Sequence, residues 1–288
     1  MMKRALLLLS LFAVPCVVTS CKDDAAPGTS ITTESPLDKL CRYWELVGYS
    51  EKEIKIFRAG YEGDTVTLES LKDKKHIGIY CTGAATTGNK ELVLQCLDKG
   101  ANPDEGLQGS AYSGHMDIVQ LMLSKGATDY DWGLWCAAWG GHMDIVQLML
   151  NKGAGPDKGL MGAAMGGHMD IVQLMLEKGA TDYSWGLRCA AEGGHMDIVQ
   201  LMLSKGAHPD CGLWGAAWGG YLDIVQLMLD KGATDYNEGL KGAATGGHMD
   251  IVQLMLDKGA TDLDSVLEAA EDNGHTECAE LIRAAMKK

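Results

Sequence analysis

The nonapeptide HMDIVQLML stands at residues 115–123, 142–150, 168–176, 195–203 and 248–256, with YLDIVQLML at 221–229. Equal segments take equal local structures, so such a chain must bury the same face many times against copies of itself. The residue that opens each copy falls at Asn89, His115, His142, His168, His195, Tyr221, His248 and His275. The steps between these anchors are 26, 27, 26, 27, 26, 27 and 27 residues. Shorter steps carry a Pro-Asp turn, as in GANPDEGL, GAGPDKGL and GAHPDCGL, whereas most longer ones carry GATDYDWGL, GATDYSWGL or GATDYNEGL. The alternation points to duplication of a two-repeat block of 53 residues.

Each unit reads as two short helices. In DIVQLML, Ile118, Val119, Leu121, Met122 and Leu123 make a wide apolar stripe, with Asp117 and Gln120 left for water. Gly126, after Ser124-Lys125, is the stop signal, because glycine takes the left-handed conformation that follows a helix end. Upstream, GLWCAAW at 133–139 is a shorter helix in which Ala137 and Ala138 admit a close neighbour. Helices of two or three turns are marginal alone and hold only when stacked.

The phrase LWCAAWGGHMDIVQLMLNKGA at 134–154 resembles the ankyrin-repeat consensus, and the resemblance covers roughly residues 51–288. It implies an all-α, ankyrin-like solenoid of helix–turn–helix units. Two departures stand out. The Thr-Pro-Leu-His opening of the first helix is replaced by Gly-Leu, and the repeat is shorter than the family's usual length of about 33 residues. The missing residues lie where ankyrin repeats project a β-hairpin finger, so tight turns with reduced or absent hairpins are expected. The resemblance also implies that the Gly-His pair closes the turn between the two helices, with the His ring hydrogen-bonding backbone there, and that the first helices line the concave side.

The ends divide the chain further. Residues 275–288 form the C-terminal cap, with Arg283 where Leu stands at 123, 150, 176, 203, 229 and 256, a column expected to be covered by the next repeat. The repeat stack is placed at 64–274 and N-terminal helices with the start of the first unit at 37–63. Gly63-Asp64 occupies the Gly-His position there, and Leu68 and Leu71 face inward. Nine helix pairs at about 9–10 Å each predict a rod of about 80–90 Å. Residues 1–20, with MMKR followed by ALLLLSLFAVPCVV, form a signal peptide too short to span a membrane. Val18-Thr19-Ser20-Cys21 resembles a bacterial lipobox, which makes Cys21 the lipidation site, and 21–36 reads as a flexible polar tether.

The formal charge of −14 and pI near 4.9 argue against nucleic acid and anionic lipid as partners. Seven cysteines follow Cys21 in a chain read as exported. Most occupy apolar repeat positions, and Cys136 and Cys189 stand two repeats apart, too far for a bond, so buried free thiols are expected. No CxxC, HExxH, P-loop or GxSxG motif is present, so no enzyme activity and no cofactor is expected. The His-Met ladder raises copper sequestration as an outside possibility, but successive anchors lie a full repeat apart, beyond the reach of a shared ligand set, and no metal site is assigned.

Against these constant letters two columns vary. The residue after each aligned Leu runs Gln108, Trp135, Met161, Arg188, Trp214, Lys241, and four residues on stand Tyr112, Trp139, Met165, Glu192, Trp218, Thr245. Pairs at i, i+4 share a helix face. Side chains this diverse do not suit a uniform core, and Trp, Tyr, Met and Arg are enriched at interfaces. These twelve residues are the expected partner-binding site, with Trp139 and Trp218 partly exposed. The column Glu105, Trp132, Lys158, Trp185, Cys211, Glu238 forms the rim.

The resulting expectation is a monomeric, non-enzymatic module of the cell envelope that binds a protein or peptide and touches the membrane only through its lipid. The alternative is a secreted effector of a host-associated microbe or large virus. Replacing Cys21 by Ala should move the protein from the membrane to the soluble or secreted fraction. Unchanged fractionation would remove the lipid anchor.

Overall fold

The computed structural model describes residues 49–287, and the expected signal peptide, Cys21, the tether and residues 37–48 lie outside them. The described residues form eighteen helices and no strand. They run as α1 (Glu51–Glu62), α2 (Thr65–Ser70), α3 (Lys74–Thr86), α4 (Lys90–Asp98), α5 (Pro103–Tyr112), α6 (Met116–Ser124), α7 (Tyr130–Trp139), α8 (Met143–Asn151) and α9 (Pro156–Gly166). There follow α10 (Met169–Glu177), α11 (Tyr183–Gly193), α12 (Met196–Ser204), α13 (Pro209–Gly219), α14 (Leu222–Asp230), α15 (Tyr236–Gly246), α16 (Met249–Asp257), α17 (Leu263–Asp272) and α18 (Thr276–Ala285). Odd helices are the first of each pair and even ones the second. The hairpins are gone, as the shortened period predicts. The chain divides into two compact units, one ending at Ala127 and one beginning at Thr128, a boundary that the repeat arithmetic does not reveal.

In the second unit, consecutive first helices α7, α9, α11, α13 and α15 are packed side by side. Close approach requires small residues: a Cβ on Gly162 of α9 would lie 2.3 Å from the Trp135 carbonyl of α7. Each second helix turns Ile, Val and Met inward, as with Ile171, Val172 and Met175, all fully buried. Burial of each such side chain stabilises the fold by about 1.5–3 kcal/mol. The Leu column is less covered than its sequence pattern implies. Leu150, Leu176, Leu203, Leu229 and Leu256 are half-buried, and Arg283 of the cap is exposed and ion-paired with Glu271. The cap therefore differs from the interior at a position that was never fully enclosed.

Two sets of hydrogen bonds join neighbouring repeats. His168 Nε2 lies 3.0 Å from the Trp139 carbonyl, His195 Nε2 3.0 Å from Met165, His248 Nε2 3.0 Å from Trp218 and His275 Nε2 3.0 Å from Thr245. A ring protonated on Nε2 donates in each case. The expected turn closure is present through the backbone, with His168 N–H donating to the Ala163 carbonyl at 3.0 Å, but the ring's partner is corrected: the imidazole reaches back to the repeat before it. Gly167, at φ +77°, leaves room for that ring, since a Cβ there would sit 2.4 Å from His195 Cε1. In the first unit His115 makes the same bond to the Thr86 carbonyl at 3.2 Å.

The second set joins successive turns. Asp157, next to the Pro that opens α9, accepts from the backbone N–H groups of Thr181 (2.7 Å) and Asp182 (3.0 Å). Asp210 accepts from Thr234 (2.7 Å) and Asp235 (3.0 Å), and Asn237 does so from Thr261 and Asp262. At Asp157 and Asp210 a Pro-Asp turn thus clamps the Thr-Asp turn that follows it, and Asn237 of a Thr-Asp turn makes the same clamp on the next one. The clamped Asp182 and Asp235 in turn cap α11 and α15, accepting from Trp185 and Glu238 N–H.

The first unit opens as the sequence suggests. Asp64 caps α2 through Val66 and Thr67 N–H, Leu68 is buried, and Leu71 is half-buried. Among the described residues Cys81, Cys96, Cys136, Cys189 and Cys278 are buried free thiols, and Cys211 is a half-buried one.

Asp157→Ala should leave two backbone donors of the following turn without their acceptor and destabilise the protein by about 1–3 kcal/mol. The loss would be read as a lower denaturant midpoint at unchanged slope. A midpoint equal to the parent would show that the clamp contributes nothing.

Candidate functional site

The variable columns split by burial. In the second unit Trp135 is 5% exposed, Trp139 1%, Met161 6% and Met165 7%. The expectation that Trp139 is partly exposed is therefore corrected. The reason is local: Trp132, itself half-buried, lies edge-on to Trp135 at 5.5 Å, and Trp135 packs against Trp139 at 5.2 Å, so the cluster on α7 helps to cover Trp135 and Trp139. Lys158 Nζ sits 5.4 Å from the Trp132 ring centroid. Met161 and Met165 occupy the same two registers one helix on.

Further along, the columns open. Arg188, Glu192, Trp214, Trp218 and Thr245 are half-buried and Lys241 is exposed. The guanidinium carbon of Arg188 lies 5.1 Å from the Trp185 centroid and 3.9 Å from that of Trp214, within cation–π range of both. Trp214 stacks on Trp218 at 6.1 Å with an interplanar angle of 9°. A continuous ladder of Trp185, Arg188, Trp214 and Trp218 results, built from α11 and α13. Trp185 and Trp132 come from the column read as a rim, and their i, i+3 spacing to Arg188 and Trp135 was the available signal for stacking. In the first unit, Gln108 and Tyr112 are half-buried on α5.

Electrostatics of the open stretch centre on Glu192, one turn beyond Arg188. Burial of its carboxyl raises its pKa from 4.5 to about 7, and Arg188 offsets only part of that rise. In the first unit Glu105 of α5 is raised to about 7 by burial, with Asp104 adding to the effect. Its Oε2 is enclosed without a hydrogen-bond partner. His195 and His248 are pushed below their ordinary value, first by burial, which favours the neutral ring that serves the repeat junction. Burial holds the Cys136 and Cys189 thiols far above their ordinary range, which suits inert core cysteines rather than nucleophiles.

The described residues contain no group of three or more His, Cys, Asp or Glu side chains placed to hold a metal. The five anchor imidazoles at 115, 168, 195, 248 and 275 each place Nε2 against a backbone carbonyl of the repeat before. No helix of the described chain is long and apolar enough to cross a membrane.

With this geometry, a family model described as ankyrin repeats (3 copies) matches residues 134–212 and 160–239. The units of this stretch are ankyrin-like repeats, shortened and without hairpin fingers among the described residues, and ankyrin repeats support a protein–protein interaction module. No curated protein matches the chain.

Glu192→Gln tests the buried carboxyl. Because its folded pKa of about 7 exceeds the 4.5 of the free group, its contribution is fully present below about pH 4.5 and is lost as the pH rises through about 7. The Gln variant should match the parent near pH 4 and be more stable by on the order of 1–3 kcal/mol at pH 8. Equal stability at both pH values would place that carboxyl in water.

Proposed function

We propose that the chain is an exported, lipid-anchored, non-enzymatic module that holds a protein or peptide partner on the first-helix face of its second unit. The observation that carries this reading is the contrast between columns. The Ile, Val and Met positions are constant and buried. The open columns place Arg188, Glu192, Trp214, Trp218, Lys241 and Thr245 side by side on α11, α13 and α15, partly exposed and chemically diverse. Large aromatics with an Arg among them are the side chains that dominate binding energy at interfaces. The buried Trp135, Trp139, Met161 and Met165 leave the contact set and serve as the packed floor beside it. Gln108 and Tyr112 offer a smaller half-buried pair on the first unit.

The lipid on Cys21 would hold this face at the cell envelope, with the polar stretch at 21–36 as its tether. Support for that part comes from the basic stub, the short apolar run and the lipobox-like Val-Thr-Ser-Cys.

A photo-cross-linking residue placed at Thr245, on the proposed face, should form a discrete covalent adduct in the cells that make the protein. The same residue at Gln173, exposed on the second helix α10, should not. Adducts of equal yield from both positions, or from Gln173 alone, would remove the assignment of the face.

A further inference from the structure

Arg188 carries five N–H donors in one plane. No described residue accepts a hydrogen bond from them or pairs with the guanidinium as a salt bridge; Arg188 meets the protein through the rings of Trp185 and Trp214, with the Glu192 carboxyl one turn on. Two indoles thus fix the position of the guanidinium while its edge donors stay uncommitted. Such a planar fork matches a carboxylate through two parallel N–H···O bonds, and prior immobilisation lowers the entropy lost on binding.

The charges around it favour an acidic occupant. Lys158 at the Trp132 ring and the exposed Lys241 lie on the same succession of first helices. The carboxylates of Asp157 and Asp210 at the starts of α9 and α13 are engaged by the backbone of the turns that follow. Glu192, desolvated, is held toward its neutral form, and Glu238 is the one exposed acid among the variable columns of α9, α11, α13 and α15. A chain with a formal charge of −14 therefore keeps a locally cationic, aromatic strip.

We infer that Arg188 is the specificity anchor of this face and takes the carboxylate of an Asp or Glu side chain in an acidic segment of the protein partner. Trp185 and Trp214 hold the fork in place, and Trp218 extends the apolar surface on which the segment's neighbouring side chains lie. The inference rests on the face proposed above and adds the partner's chemistry.

The test uses the full chain and three peptides of equal length, alternating Gly with Glu, with Lys or with phosphoserine, titrated by calorimetry and tryptophan fluorescence. The Glu peptide should bind the parent most tightly. Arg188→Lys keeps the charge but loses the fork, and should weaken that binding at least about tenfold without changing the melting temperature. Arg188→Gln serves as a second variant should the first unfold, and Lys152→Ala, exposed at the end of a second helix, should bind like the parent. The carboxylate assignment is overturned if Arg188→Lys matches the parent, if the Lys or phosphoserine peptide binds more tightly, or if none of the three binds. The face itself is judged separately by the Thr245 cross-link, so the two can fail independently.

Discussion

The structure depends on repeats shortened enough to lose their hairpins yet still bonded to one another. Helices of nine to eleven residues do not persist alone in water, so each must be joined to the next by contacts that the missing fingers would otherwise supply. The imidazoles of His168, His195, His248 and His275 reach back to a carbonyl at the end of the previous first helix. The Asp after a turn proline reaches forward to the backbone of the next turn. Both bonds satisfy backbone groups at helix ends, which are the groups a short helix leaves unpaired in greatest proportion.

These junctions also account for which letters vary. The carbonyl that receives the His belongs to Trp139, Met165, Trp218 and Thr245, so the position is held by its backbone while its side chain is free to differ. A repeat can exchange Trp for Met or Thr there without disturbing its neighbour's hydrogen bond. Function can then be written into a column whose main-chain role is invariant, and one stretch of that column is core while another is surface.

Aromatic clustering decides between the two. On α7 three indoles pack in succession, and Trp135 and Trp139 are enclosed. On α11 and α13 a charged guanidinium intervenes between indoles. Its charge resists full burial because removing it from water without a partner is costly. The result is an open strip beside a closed one.

Much of the fold was legible in the letters alone. Identical nonapeptides at steps of 26 and 27 determined the helix pairs, the turns and the buried Ile, Val and Met, because local periodicity sets which face of a helix is apolar, and the resemblance to longer ankyrin repeats implied the loss of hairpins. The variable columns were legible as a shared face, from i, i+4 spacing. What tertiary structure alone decided was which members of that face stay open. Trp139 and Trp218 occupy the same register and have the same chemistry, yet one is enclosed and the other half-buried. The reach of His195 to Met165 and of Asp157 to Thr181 was likewise invisible, since both bonds join residues 24 to 30 positions apart whose pairing follows from how repeats stack rather than from either residue's neighbours. Burial is a property of what packs around a side chain, and a repeat's own letters do not contain its neighbours' bulk.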